Sequence, residues 1–322
     1  MGLMVVIVLA VLFLSYANGA NDNFKGVATL CGSRQISYKQ AIGLATATTF
    51  AGSICALFLS QGLIRAFSGK GLVPDAVVAN PDFMISVSLG AALTVFVATR
   101  MGMPISTTHA LVGGLVGAGL VLSPSGVSIA PLAGVFLAPL LVSPLLAALL
   151  CSAAYPILSF LRKRAGLTES TCVCVGEKTA PAQISASGEM TAVLNGASIT
   201  VDDVSVCRRQ YVGEVLGFSV VQLADAAHLL LGGLVSFARG LNDAPKICAI
   251  LLVAVAVSPA YGFFAVALSM ALGGILGARR IAHTMSDRIT EMNLGQGMTA
   301  AVTTASLVIL ASRWGIPVST TH

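Results

Sequence analysis

Two carboxylates and two clusters of hydroxyls recur in this chain at matched spacing, in stretches whose apolar neighbours make each of them costly. Gly19-Ala20-Asn21-Asp22, followed by Lys25, returns as Gly240-Leu241-Asn242-Asp243, followed by Lys246. Pro104-Ile105-Ser106-Thr107-Thr108-His109 returns as Pro317-Val318-Ser319-Thr320-Thr321-His322. The first motif offers a helix break, an amide with donor and acceptor atoms, and a carboxylate. Unwound carbonyls and a carboxylate make an oxygen cage for a small hard cation. The second motif offers a proline suited to a first helical turn, and hydroxyls that join free N–H groups at the positive end of the helix dipole. That is anion chemistry. Two copies facing one another would aim six hydroxyls, those of Ser106, Thr107, Thr108, Ser319, Thr320 and Thr321, at one point. A tetrahedral oxyanion fits such a cradle better than a sugar or a planar base.

The elements that must position these groups are long and apolar. Hydrophobic residues make up 56% of the chain and charged residues 10%, with a mean hydropathy of +0.90, which excludes a soluble globular domain and implies a polytopic membrane protein. A carboxylate at membrane depth costs several kcal/mol unless it has a partner or water, so two in matching positions imply a binding site shared by two halves. The net charge of +5 does not suggest nucleic acid. Seven cysteines show no four-ligand zinc spacing, and Cys172 and Cys174 read as unpaired thiols. No charged leader precedes the first apolar run, so it is expected to stay in the mature protein. Spans are expected at 3–20, 40–60, 83–99, 104–122 and 130–161. The fourth, rich in glycine and opened by a proline, suits half of a re-entrant hairpin; Pro139, Pro144 and Pro156 break or kink the fifth.

Residues 162–210 are polar and mixed in charge, and read as a loop between repeats, with a hairpin around Asn195-Gly196 as the alternative. Arg162-Lys163-Arg164 and Arg208-Arg209 at its ends place it in the cytoplasm. The second half opens with a run at 212–238 and repeats the first. A shift of 221 residues carries Gly19 onto Gly240, Asp22 onto Asp243, Lys25 onto Lys246, Ser37 onto Ser258 and Gly52 onto Gly273. Basic residues alternate between the copies: Arg34 and Lys39 face an uncharged stretch at 252–261, and Arg279, Arg280 and Arg288 answer Arg65 and Lys70, which Asp75 and Asp82 balance. Such alternation belongs to repeats inserted with opposite orientation. The expected fold is therefore all-α: an inverted-topology repeat of about five spans per half, with broken or re-entrant helices at the midplane. Its parts are residues 1–161, the cytoplasmic loop 162–210, and residues 211–322, whose last helices lie beyond the given sequence.

Blander roles compete for the same residues. A lone Ser-Thr-Thr-His bonds back to the preceding turn, and Asp22 or Asp243 can pair with Lys25 or Lys246 on one helical face. His109 and His322 can orient a cap, and Asp225, His228 and Gln222 receive no role. An intramembrane hydrolase could use Ser106 and His109, but needs no second copy. An anion channel could use the cradle without the carboxylates.

The duplicated Gly-Ala-Asn-Asp and Pro-x-Ser-Thr-Thr-His elements resemble the PiT family of inorganic phosphate transporters over nearly the whole chain outside the central loop. That resemblance implies a secondary symporter in the cell membrane and not an enzyme. It would carry phosphate with sodium or, in some members, protons, need no cofactor beyond the transported sodium, and form a homodimer. By position, Asn21, Ser106, Thr107, Thr108, Asn242, Ser319, Thr320 and Thr321 would bind phosphate, and Asn21, Asp22, Asn242 and Asp243 would bind sodium. Lys25 and Lys246 would be accessory; they stand where many members have a polar neutral residue, and Leu241 replaces the usual small one. At about 4 Å and an effective dielectric near 20, a carboxylate and a phosphate dianion repel by several kcal/mol, so cations are expected to enter with the anion.

Overall fold

The computed structural model describes all residues except Met1, 33–34, 167–170, 180–182, 185–189, 192–193, 204–215, 256, 288–291 and His322. Among the described residues, eight helices have sixteen or more residues: α1 Gly2–Asp22, α2 Tyr38–Leu59, α3 Pro81–Arg100, α4 Thr107–Leu122, α5 Ala138–Arg164, α6 Val220–Ala254, α7 Pro259–Gly277 and α8 Leu294–Trp314. The membrane-length apolar elements among the described residues number six: those holding α1, α2, α3, α7 and α8, and the 36-residue stretch Ile129–Arg164 that contains α5. The chain is a polytopic membrane protein, all-α through its spanning part. Its outward surface is what lipid requires: on α5, Leu141, Leu145 and Leu149 are each 66–69% exposed.

Local sequence sets the helix starts. Ser37 caps α2 in a capping box with Gln40, and Asn293 caps α8 in another with Gln296. Asn80 caps α3 with Pro81 in its first turn, Pro259 opens α7, and Ser106 caps α4. The fourth expected span, at 104–122, is a 16-residue helix from Thr107, short of a full crossing.

The two halves pack on each other by a rule the sequence shift anticipates. A Cβ on Gly19 would lie 1.9 Å from the carbonyl oxygen of Met270, and one on Gly240 would lie 2.1 Å from that of Thr49. Gly52 and Gly273 meet the carbonyls of Phe237 and Tyr16 at 2.0 Å each. Every member of these pairs is related to its counterpart by the same 221 residues. So α1 lies on α7 as α6 lies on α2, backbone to backbone, at four points where only hydrogen fits. Gly19→Ala should therefore destabilise the fold severely, at a cost upward of about 3 kcal/mol, because backbone cannot move aside as a side chain can. Gly113→Ala, where nothing lies within 4 Å, should be neutral. Monodispersity and thermal midpoint of the two purified variants check this.

A second shift, of 213 residues, relates the stretches before the hydroxyl motifs. Gly102 has φ +73° and Gly315 φ +71°, each just past the end of α3 or α8. Both take the left-handed conformation that closes a helix and turns the chain into the following proline motif.

Three expectations need correction. The break expected at both Gly-x-Asn-Asp motifs occurs only at the first: α1 ends at Asp22 and gives way to a single turn at Lys25–Val27. At the second, α6 runs unbroken for 35 residues through Pro245, well past the run expected at 212–238. Proline has no N–H for the carbonyl of Leu241, four residues back, and the Ser60 hydroxyl donates to that oxygen at 3.0 Å instead. Finally, 162–210 is not only a linker. It holds an antiparallel sheet in which β1 Thr171–Thr179 lies between β4 Leu194–Asp203 and β5 Leu216–Ser219, beside a pair formed by β2 Gln183–Ile184 and β3 Met190–Thr191. Asn195-Gly196 lies within β4, opposite β1 next to a bulge, and not at a turn. Residues Ala154–Ala227 form one compact unit; Met1–Ala153 and His228–His322 form the other, which holds all the groups considered next.

Candidate functional site

Asp22, at the end of α1, is buried at 2% exposure and fully engaged. Its carboxylate accepts from Asn18 Nδ2 and Thr107 Oγ1, each at 2.9 Å, and pairs with Lys25. Asp243, inside α6, accepts from Asn242 Nδ2 at 3.0 Å, Asn18 Nδ2 at 3.3 Å and Lys246 Nζ at 3.4 Å. Asn18 thus touches both carboxylates and joins the two motif copies in one buried network.

The two asparagines hold the hydroxyl motifs against the carboxylate helices. Asn21 donates to Thr99 Oγ1 at 2.9 Å and to the carbonyl of Met103 at 3.0 Å, and accepts from the amide of Ile105 at 3.0 Å. Asn242 donates to the carbonyl of Val318 at 3.2 Å and accepts from Ser312 Oγ at 3.4 Å. Thr99 corresponds to Ser312, and Ile105 to Val318, under the shift of 213. Both asparagines are spent on scaffolding bonds.

The hydroxyl motifs meet each other. Thr108 Oγ1 donates to the carbonyl of Val318 at 3.3 Å, and Thr321 Oγ1 to the carbonyl of Ile105 at 3.1 Å. Ser319 Oγ accepts from the amide of Thr321 at 3.2 Å, and Thr320 is half-buried. Ser106 Oγ accepts from the amide of His109 at 3.3 Å and lies 2.8 Å from its Nδ1. That geometry caps a helix with backbone and side chain of one residue, and gives the Ser106–His109 pair a local structural role. Ile105, Ser106, His109, Gly113 and Thr321 line a cavity of about 680 Å³ at the edge of the cluster.

Sequence reasoning passed over one residue of the first importance. Arg239 is 1% exposed, the largest fully buried side chain among the described residues. It donates to Asn18 Oδ1 at 3.2 Å, Asn23 Oδ1 at 2.9 Å and Thr49 Oγ1 at 3.0 Å, and stands 3.8 Å from Asp243. Its Nε is buried with no hydrogen-bond partner among the described residues. The signal was present: Arg239 falls on Asn18 under the 221 shift, one position before the matched tetrapeptide. The apolar run expected at 212–238 stops one residue short of it. With Asp22, Asp243, Lys25, Lys246 and Arg239 ionised, the centre holds three positive and two negative charges, formally +1. His228, given no role from sequence, is 1% exposed between Thr29 Oγ1 at 3.0 Å and Gln35 Oε1 at 2.7 Å.

A bundle of membrane-length helices around a buried centre of ions, amides and hydroxyls is the architecture of a solute transporter. The chain belongs to the phosphate transporter family, whose model matches residues 18–322. It is 27% identical, over 96% of its length and 83% of the relative's, to a putative phosphate permease of Pyrococcus horikoshii. It is also 28% identical, over 99% of its length and 82% of the relative's, to a probable low-affinity inorganic phosphate transporter of Rhizobium meliloti. In fold it is similar to a solved structure of a sodium-dependent phosphate transporter. The TM-score is 0.74 at 21% identity, covering all of this chain and 87% of that one.

Proposed function

We propose that this phosphate transporter is a cation-coupled symporter working by alternating access, with the two motif copies forming one phosphate site. The observation that carries this is the reciprocal network: each carboxylate helix is bonded to the hydroxyl motif of its own half, and the hydroxyl motifs are bonded to each other. Such a centre holds a ligand between two halves that rock about it. The paired glycine contacts and both sequence shifts support an inverted repeat. The basic flanks of 162–210 support a cytoplasmic loop, and a homodimer follows from the family resemblance alone. A cysteine in place of Ser170, outside the described residues, should resist an impermeant maleimide applied to intact cells.

Two coupling ions have support: sodium, from the sodium-dependent structural neighbour and the paired carboxylates, and protons. A specific observation favours protons as a second reading: a centre that is formally +1 does not need a co-bound cation to accept an anion. Radiolabelled phosphate uptake into proteoliposomes under imposed sodium or proton gradients tests both. Uptake driven by neither would remove the symport reading.

The hydroxyls should act as a unit. Ser106→Ala with Thr108→Val removes two hydroxyls from the proposed phosphate site, and each hydrogen bond to a charged phosphate oxygen is worth about 1.5 to 3 kcal/mol, so phosphate affinity should fall at least tenfold per hydroxyl. The matching change at Ser319 and Thr321 should be comparably severe, and the combined variant strongly non-additive. Calorimetry that finds affinity unchanged by either pair would return these residues to simple caps.

A further inference from the structure

Each buried lysine sits in an oxygen shell built from both halves. Lys25 Nζ donates to its neighbour Asp22, to the carbonyl of Ile105 at 2.6 Å and to Thr321 Oγ1 at 2.7 Å. Lys246 Nζ donates to its neighbour Asp243 at 3.4 Å, to the carbonyl of Val318 at 2.9 Å and to Thr108 Oγ1 at 2.6 Å. The two sets correspond member for member: own carboxylate, the carbonyl before its own hydroxyl motif, and the final threonine of the other motif. A carboxylate oxygen, a backbone carbonyl and a hydroxyl are also what a hard monovalent cation takes from a protein. An ammonium has three N–H donors, and all three are used in both copies, so neither lysine has a donor left for an anion. The side chains are 4% and 1% exposed, which leaves the ammonium groups nowhere to go without opening the site.

Resting on the phosphate reading above, we infer that Lys25 and Lys246 are tethered cations occupying the two positions where sodium would otherwise bind, so that phosphate binding and uptake by this chain do not require sodium. Three features point the same way. The duplicated shells argue for a purpose beyond a single structural ion pair. The tether holds each ammonium next to its carboxylate at an effective concentration a free ion cannot match. The centre is formally +1 with the lysines in place and would be −1 without them, so their charge does for the anion what two bound cations would do. Removing an ammonium should open its shell and create a sodium site.

The test uses the purified full chain, with sodium replaced by choline at constant pH and ionic strength. Wild-type phosphate uptake in proteoliposomes should change less than twofold, and the thermal midpoint should not move. Lys25→Ala and Lys246→Ala should each gain a midpoint rise of several degrees in sodium over choline, as binding to the folded state alone demands, and a sodium requirement for phosphate binding. Asp22→Asn with Lys25→Met, which lacks the carboxylate, should gain neither. A wild-type uptake that falls tenfold or more in choline would overturn the inference, as would alanine variants that fold but ignore sodium. If one alanine variant fails to fold, the other and the wild-type arm decide. Failure of the chain to bind phosphate in both sodium and choline would instead defeat the phosphate reading, and the midpoints would still decide whether the lysines stand in for sodium.

Discussion

Asp22→Asn is expected to abolish phosphate uptake and to lower stability sharply, a combination the sequence alone would not lead one to expect. In an oxygen cage awaiting a cation, an amide for a carboxylate would cost binding and leave the fold intact. In the structure the carboxylate already has a cation. Replacing it leaves Lys25, with a side chain 4% exposed, as an uncompensated buried charge, and also weakens the bonds from Asn18 and Thr107. Losing one partner of a buried pair costs about 3 to 5 kcal/mol, a large share of the 5 to 15 kcal/mol typical of a folded domain. Adding Lys25→Met to Asp22→Asn removes the orphaned charge, so the thermal midpoint should recover most of its loss. Uptake should not return, because Thr107 and Thr321 lose the groups that fix their hydroxyls. A single variant with wild-type midpoint and uptake would contradict the pairing.

Arg239→Met should weaken phosphate binding by about thirtyfold or more. It takes the centre from formally +1 to neutral; at a separation of roughly 8 Å and an effective dielectric near 20, one unit charge is worth about 2 kcal/mol to a monoanion. It also strips donors from Asn18, Asn23 and Thr49, so the network loses geometry as well as charge. Arg239→Lys separates the two effects. It keeps the charge, and so should hold affinity within a few-fold, while losing the planar fork and part of the stability. Calorimetric phosphate titration of both variants checks this, and equal affinity losses would show that Arg239 acts through shape and not through charge.

The residues of the centre were legible because they were duplicated. Asp22 and Asp243, the serines and threonines, and the glycines at 19, 240, 52 and 273 stand out by shift alone, and the structure uses that shift in its backbone contacts. What escaped was whatever broke the symmetry. Asn18 and Arg239 are counterparts of different chemistry, so no repeat search favours either, and the charge balance turns on that one difference. Helix continuity at Asp243 was not legible either: the glycine motif reads as a break until Ser60, 181 residues from Leu241 in sequence, is seen to supply the donor that Pro245 lacks. The lysines were visible as (i, i+3) partners of the carboxylates. Their bonds to carbonyls and to the opposite threonines depend on how two distant loops meet.

The most direct measurement is phosphate counterflow in proteoliposomes loaded with unlabelled phosphate and diluted into trace radiolabelled phosphate with no ion gradient. A carrier that rocks about one site must exchange the two pools, so label should accumulate transiently above equilibrium in wild-type vesicles. Asp22→Asn, with or without Lys25→Met, should give none. Label that equilibrates without overshoot would indicate a channel, and label that never enters would contradict phosphate as the substrate.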